Sequence, residues 1–145
     1  MNARSNAKYV AAIIVGLAYI WLATAFWGRY VMNHPVNEFL LEVFARQGHR
    51  FLYGISILVH DVLINILLAL PAALAFVSIK SLNNWKCVAV AVGTAFVGSY
   101  WTVDPSSIPL LVQSGSFWVG ISMSTFSLPV AYLVAKSFRN PARSA

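Results

Sequence analysis

The sequence predicts an all-α membrane protein, an antiparallel bundle of four transmembrane helices formed by a single integral domain over residues 1–145. Three observations carry that expectation. Of the 145 residues, 59% are hydrophobic and only 10% are charged, against about 45–50% and about 25% in an ordinary soluble domain. Mean hydropathy is +0.72. Finally, the charges are not spread evenly but leave four long uncharged stretches, each near the roughly 20 residues that cross a bilayer core as a helix. Disorder is excluded by the same hydrophobicity. A disulfide scaffold is excluded because Cys87 is the single cysteine.

The first expected span covers about 9–28, between Lys8 and Arg29. Arg4, Lys8 and the Ala23-Thr24-Ala25 triplet also fit a cleaved signal peptide. The uncharged run exceeds a usual 7–15-residue apolar region, and Tyr19 and Trp21 are bulky so close to the cut, so an uncleaved helix is expected. The second span covers about 51–77 and contains one charge, Asp61. The third covers about 87–103. The uncharged run after Asp104 is too long for one span; Pro105, Pro109 and Gln113-Ser114-Gly115-Ser116 make its first part a loop, and the fourth span covers about 117–135. Between the first two spans, Val36, Phe39, Leu40, Val43 and Phe44 recur at helical spacing opposite Glu38, Glu42 and Arg46. With Pro35 at its start and Gly48 past its end, this pattern predicts a short amphipathic helix over about 35–47, lying on the outer membrane surface or on the bundle.

Each span carries one face of small or polar residues, the kind that lets helix backbones approach in lipid. The faces are Ala12, Gly16, Tyr19 and Ala23; Gly54, Asp61, Asn65 and Ala72; Cys87, Ala91, Thr94 and Gly98; and Ser116, Gly120, Ser124, Ser127 and Ala131. The short Ser81-Leu82-Asn83-Asn84 link predicts an antiparallel hairpin of spans two and three.

Charge sets the expected orientation. Arg4, Lys8, Lys80, Lys86, Lys136, Arg139 and Arg143 fall on one side, and Arg29, Arg46 and Arg50 on the other. By the positive-inside rule this places both termini in the cytoplasm of a multi-pass plasma (inner) membrane protein. Trp27, Tyr30, Tyr53, Tyr100, Trp101 and Trp118 fall near the outer span ends and Tyr9, Trp85 and Tyr132 near the inner ones, as interfacial aromatics do. The partners expected are the lipid bilayer and helices of a second copy or another membrane protein. The dispersed basic residues do not form a nucleic-acid surface.

The chemistry-bearing residues are His60 and Asp61. Counted from Phe51, Asp61 lies about 15 Å along its span, and an intramembrane acid is costly enough to need a partner or a function. Asn65 lies one turn on, and Ser124 and Ser127 of span four are expected to complete a polar site with His60 and Asp61. That site suits a proton relay or an ion or substrate site; as structure alone it is polar glue between helices. His34, Glu38 and Glu42 repeat every four residues, a spacing that metal ligands can have and that His49 could join, but they equally suit a solvated ladder in which His34 and Arg46 offset the two acids; with no dense His/Cys set, no metal and no cofactor is expected. The serines of span four lack any Ser-His-Asp spacing, so no catalytic residue is expected either. The expected role is therefore an interaction or accessory subunit of a membrane complex rather than an enzyme. A small proton-coupled transporter or channel using His60 and Asp61 is the alternative, and a lipid-active membrane enzyme stands third.

Overall fold

The computed structural model describes the backbone of residues 3–30, 35–101 and 104–139. The side chains at 3–5, 35, 105, 111, 115–117, 119 and 124 lie outside that description. All regular structure among the described residues is helical: α1 (Ala3–Tyr30), α2 (Pro35–Leu40) running into a π-helical turn (Leu41–Ala45), α3 (Arg50–Ser78), α4 (Trp85–Tyr100), a 3₁₀ turn (Pro105–Ser107), α5 (Ile108–Val112) and α6 (Gly115–Arg139). Two segments, Asn6–Tyr30 and Arg50–Ser78, are long and apolar enough to cross a membrane.

The four long helices pack as a ring. α1 lies against α3 and α4, and α6 lies against the same two. The most extensive pairings are α3 with α6 and α1 with α4. Both of these are parallel: Gly16 meets Ala91 and Gly98 meets Ile20 across α1 and α4, while Asn65 meets Met123 and Val77 meets Arg139 across α3 and α6. α1 and α3 are antiparallel, since Trp27 bonds Asn65 and Tyr30 bonds His60. Helices α3 and α4, joined by the short link, run antiparallel but share no extended face. The hairpin expected from link length is therefore opened. The reason lies in the link itself: Leu82 is buried, and Asn83 accepts a 2.6 Å hydrogen bond from the Tyr132 hydroxyl of α6. Trp85 packs edge-on against the same Tyr132 ring, 5.0 Å away. Thus α6 holds the link and stands beside both helices that it connects.

Small residues make this possible. On α1 the buried positions include Ala12, Gly16, Tyr19 and Ala23, spaced to fall on one helical stripe. On α4, Cys87, Val88, Ala91 and Ala95 are buried, and on α6, Ser127, Leu128, Ala131, Tyr132 and Ala135. The closest approach is at Gly16, where a Cβ would stand 2.5 Å from the Ala91 carbonyl oxygen. No side chain fits there. Helix ends are closed locally: Asn84 caps α4 by accepting from the Cys87 N–H at 3.0 Å, and the Arg139 guanidinium donates to the Val77 carbonyl at the end of α3. After α4, the Asp104 carboxylate accepts from the Ser106 backbone N–H at 3.0 Å, and the Ser106 N–H and hydroxyl hold its pKa below the usual carboxylate value.

The packing is dense at one end and loose at the other. Below Asn65, α3 buries Ala69, Ala72, Ala73, Phe76 and Val77; above it, no described residue of α3 is fully buried. Gly54 and Gly120, expected on packed faces, have no heavy atom within 4 Å of an added Cβ. The reason is a stagger. Tyr30, the last residue of α1, meets α3 at His60, so the ten residues of α3 before it rise about 15 Å past the end of α1.

The stagger and the Gly16 contact give a direct test. Gly16→Val is expected to destabilise the purified protein by about 1–3 kcal/mol, the usual cost of overpacking. Gly93→Val, where nothing lies within 4 Å, should stay within about 0.5 kcal/mol. Unfolding curves in mild detergent measure both.

Candidate functional site

The site begins at the end of α1. Phe26, Trp27 and Tyr30 form an aromatic cluster there, with Phe26 stacked on Tyr30 at 5.0 Å and Trp27 edge-on to Tyr30 at 5.7 Å. Trp27 and Tyr30 are three residues apart and so share a face, and that face meets α3. The Tyr30 hydroxyl lies 3.3 Å from His60 Nε2, and the two rings are nearly parallel with centroids 6.0 Å apart. His60 Nδ1 lies 2.9 Å from Asp61 Oδ1. Adjacent helical positions diverge by about 100°, yet these two side chains bridge that angle.

With Asp61 ionised, a proton on Nδ1 is donated to its carboxylate, and in the neutral imidazole Nε2 is then an acceptor for the Tyr30 hydroxyl. The carboxylate fixes the ring, and the ring fixes the tyrosine. Both members of the pair are partly open, with side-chain exposures of 20% for His60 and 24% for Asp61.

One turn further in, Asn65 is buried and fully used. Its carbonyl oxygen accepts from the Trp27 indole N–H at 3.2 Å, and its amide donates to the Asp61 backbone carbonyl at 2.8 Å and lies 3.7 Å from the Met123 sulfur. Asn65 therefore ties α1, α3 and α6 together. Ser127 does not join Asp61. Its hydroxyl donates to the Met123 carbonyl one turn back at 2.5 Å and bonds the buried Tyr19 of α1. The side chain of Ser124 lies outside the described residues. Of the polar site expected from sequence, His60, Asp61 and Asn65 are brought together, while Ser127 belongs to a second contact deeper in the bundle.

Three residues were missed as members of this network: Tyr30, Trp27 and Tyr19. The first two carry the signal of interfacial aromatics, which masked their second use as hydrogen-bond donors. Tyr19 was placed on the packed stripe, and its hydroxyl is the feature that could have flagged it, since a buried Tyr hydroxyl normally finds a partner.

The polar line from Tyr30 through His60 and Asp61 ends at Asn65, and the Ser127–Tyr19 contact lies separately below it. Deeper still lie Ala12, Phe76, Val77 and Val88, all buried and apolar. Among the described residues no buried side-chain nitrogen or oxygen lacks a partner, and no group of three His, Cys, Asp or Glu side chains converges. His34 of the expected acidic ladder lies outside the described residues; Glu42 is paired with Arg46 at 3.1 Å on the exposed surface.

Next to the polar line, an open groove of about 380 Å³ runs between α3 and α6, lined by Leu58, Val62, Ile66, Met123, Phe126 and Val130 among others. Its walls are nearly all apolar. Compared with models of known families, with curated proteins and with solved structures, the chain finds no match.

Asn65→Ala is expected to cost about 1 kcal/mol, within the range of roughly 0.6–2 kcal/mol for polar contacts in helix bundles, and to shift Trp27 emission because the indole N–H loses its acceptor. Fluorescence-detected unfolding of the variant checks both. An equal shift in Ser127→Ala would mean that the two contacts are not separate.

Proposed function

We propose that this chain is a four-span integral membrane protein that serves as an interaction subunit, docking a partner through the outer end of α3. The basic residues set the frame. Lys80, Lys86 and Lys136 lie at the inner end, and one bilayer core of about 30 Å above them reaches the level of Tyr30 and the His60–Asp61 pair. In this frame the pair stands at the outer edge of the hydrocarbon, where an acid is far less costly than at the midplane.

The observation that carries the proposal is what stands above that edge. The outer part of α3 projects past α1 with Phe51, Leu52, Ile55, Leu58 and Val59 exposed, Phe51 by 79%. A contiguous apolar surface of this kind, lifted out of the lipid core, marks an interaction surface. α2 and the π-helical turn brace it from one side: they pack on α3, and the Tyr53 hydroxyl donates to Asn37 at 2.5 Å. Gly48, at φ 87, ends this brace in the left-handed region that favours glycine.

A photo-crosslinking residue at Ile55 tests the proposal in native membranes. It is expected to give a protein adduct of discrete mass that Phe51→Glu abolishes, while the same residue at Val97, exposed on α4, gives lipid adducts only. An adduct of twice the chain mass identifies a second copy as the partner. Lipid adducts alone at both positions would contradict a docking role.

A proton-coupled transporter is the second reading, favoured by the Tyr30–His60–Asp61 chain, whose hydroxyl, imidazole and carboxylate can pass a proton in sequence. The apolar layer below Tyr19 weighs against it, because a relay needs a continuous polar or wet path. Under the docking reading, Asp61→Asn leaves proton flux in reconstituted vesicles at the background of protein-free vesicles, as does the parent. Flux in the parent that Asp61→Asn removes would reverse the ranking.

A further inference from the structure

We infer that the inner end of the bundle selects anionic phospholipid headgroups from the leaflet around it. This rests on the spanning reading above but not on the docking role.

The contacts gather four cations around the α3–α4 link. Lys80 and Lys86 flank the link and are exposed. The Lys136 ammonium lies over the Tyr132 ring, 5.6 Å from its centroid, and Tyr132 is itself hydrogen-bonded to Asn83 of the link. Arg139 reaches the α3 terminus at the Val77 carbonyl. On α1, Lys8 sits over the Tyr9 ring at 5.0 Å, at the same end. Two of these five side chains are therefore positioned by aromatic faces, and a third by a helix terminus.

The acidic side chains are all elsewhere. The sequence has four: Glu38, Glu42, Asp61 and Asp104. Glu38 and Glu42 belong to α2 and the π-helical turn, Asp61 is held at the outer end of α1, and Asp104 follows the outer end of α4. No acidic side chain is present at the inner end to neutralise the cations internally. At that level the surrounding medium is the headgroup layer, and cations near it attract anionic lipid. Trp85, half exposed at the same level, is an interfacial anchor that keeps the cations there.

The measurement is the electron spin resonance of spin-labelled phosphatidylglycerol and phosphatidylcholine around the reconstituted full chain. Phosphatidylglycerol should be enriched about fivefold over phosphatidylcholine in the motionally restricted shell, the factor that one basic side chain near the surface gives. Raising salt to about 1 M, where the Debye length is about 3 Å, should reduce that preference. Lys80→Gln combined with Lys86→Gln and Lys136→Gln should lower the ratio, with Lys8 and Arg139 retaining part of the preference, and Arg46→Gln with Arg50→Gln at the outer end should leave it unchanged. Equal shells for both lipids around the parent chain would overturn the inference, as would a preference that either salt or the triple substitution leaves undiminished. Absence of any restricted component with either lipid would overturn the spanning reading, and the inference with it.

Discussion

The contact between Gly16 and the Ala91 backbone is the constraint on which the arrangement depends. It brings α1 and α4 together without an intervening side chain and fixes them in parallel register. Two parallel helices that are not consecutive in the chain need long-range connection, and α3 supplies it by running back along α1. Once α1 and α4 are locked, α6 has one place left, beside α3 and α4, where Tyr132 secures the link. Close approach of this kind, with the hydrogen bonds of Asn65 and Asn83, holds the pairings; under the four-span proposal it carries the more weight, because lipid gives helices little hydrophobic reason to associate.

The stagger is set by the contacts of α1 with α3, Trp27 on Asn65 and Tyr30 on His60. α1 is 28 residues long and α3 is 29, but Tyr30 meets His60 rather than Arg50. Equal helices offset in this way expose opposite ends. The offset places the His60–Asp61 pair where α1 stops, gives it the Tyr30 hydroxyl, and leaves the apolar outer part of α3 without a neighbour from α1. The site and the projecting surface are two consequences of one offset.

Much of this was legible in the sequence, and the rest was not, for a physical reason. Helical periodicity reports which face of a helix is small or apolar; Ala12, Gly16, Tyr19 and Ala23 were read as one stripe and are buried as one. Periodicity does not report how far along its length a helix is covered. Gly54 and Gly120 carry the same signal as Gly16, yet they lie where no neighbour reaches. Counting from Phe51 places Asp61 by its own helix alone, whereas the Tyr30–His60 contact shows where along α3 the end of α1 falls. Link length gave the direction of α3 and α4 but not their separation, because Leu82, Asn83 and Tyr132 form a tertiary contact that no local pattern encodes. Ser127 was assigned to Asp61 by type; its bonds to Tyr19 and the Met123 carbonyl depend on helix rotation, which composition leaves open.

The central claim is that the outer part of α3 stands clear of the hydrocarbon, with His60 and Asp61 at its edge. Spin labels attached to single cysteines at Ile55 and Leu67, in a chain with Cys87 replaced by Ala, measure this directly through their relative collision rates with oxygen and a water-soluble nickel complex. Both positions are exposed and lie about 18 Å apart along the helix. The account predicts a water-accessible label at 55 and an oxygen-accessible, nickel-protected label at 67. Equal protection of the two from nickel would contradict it.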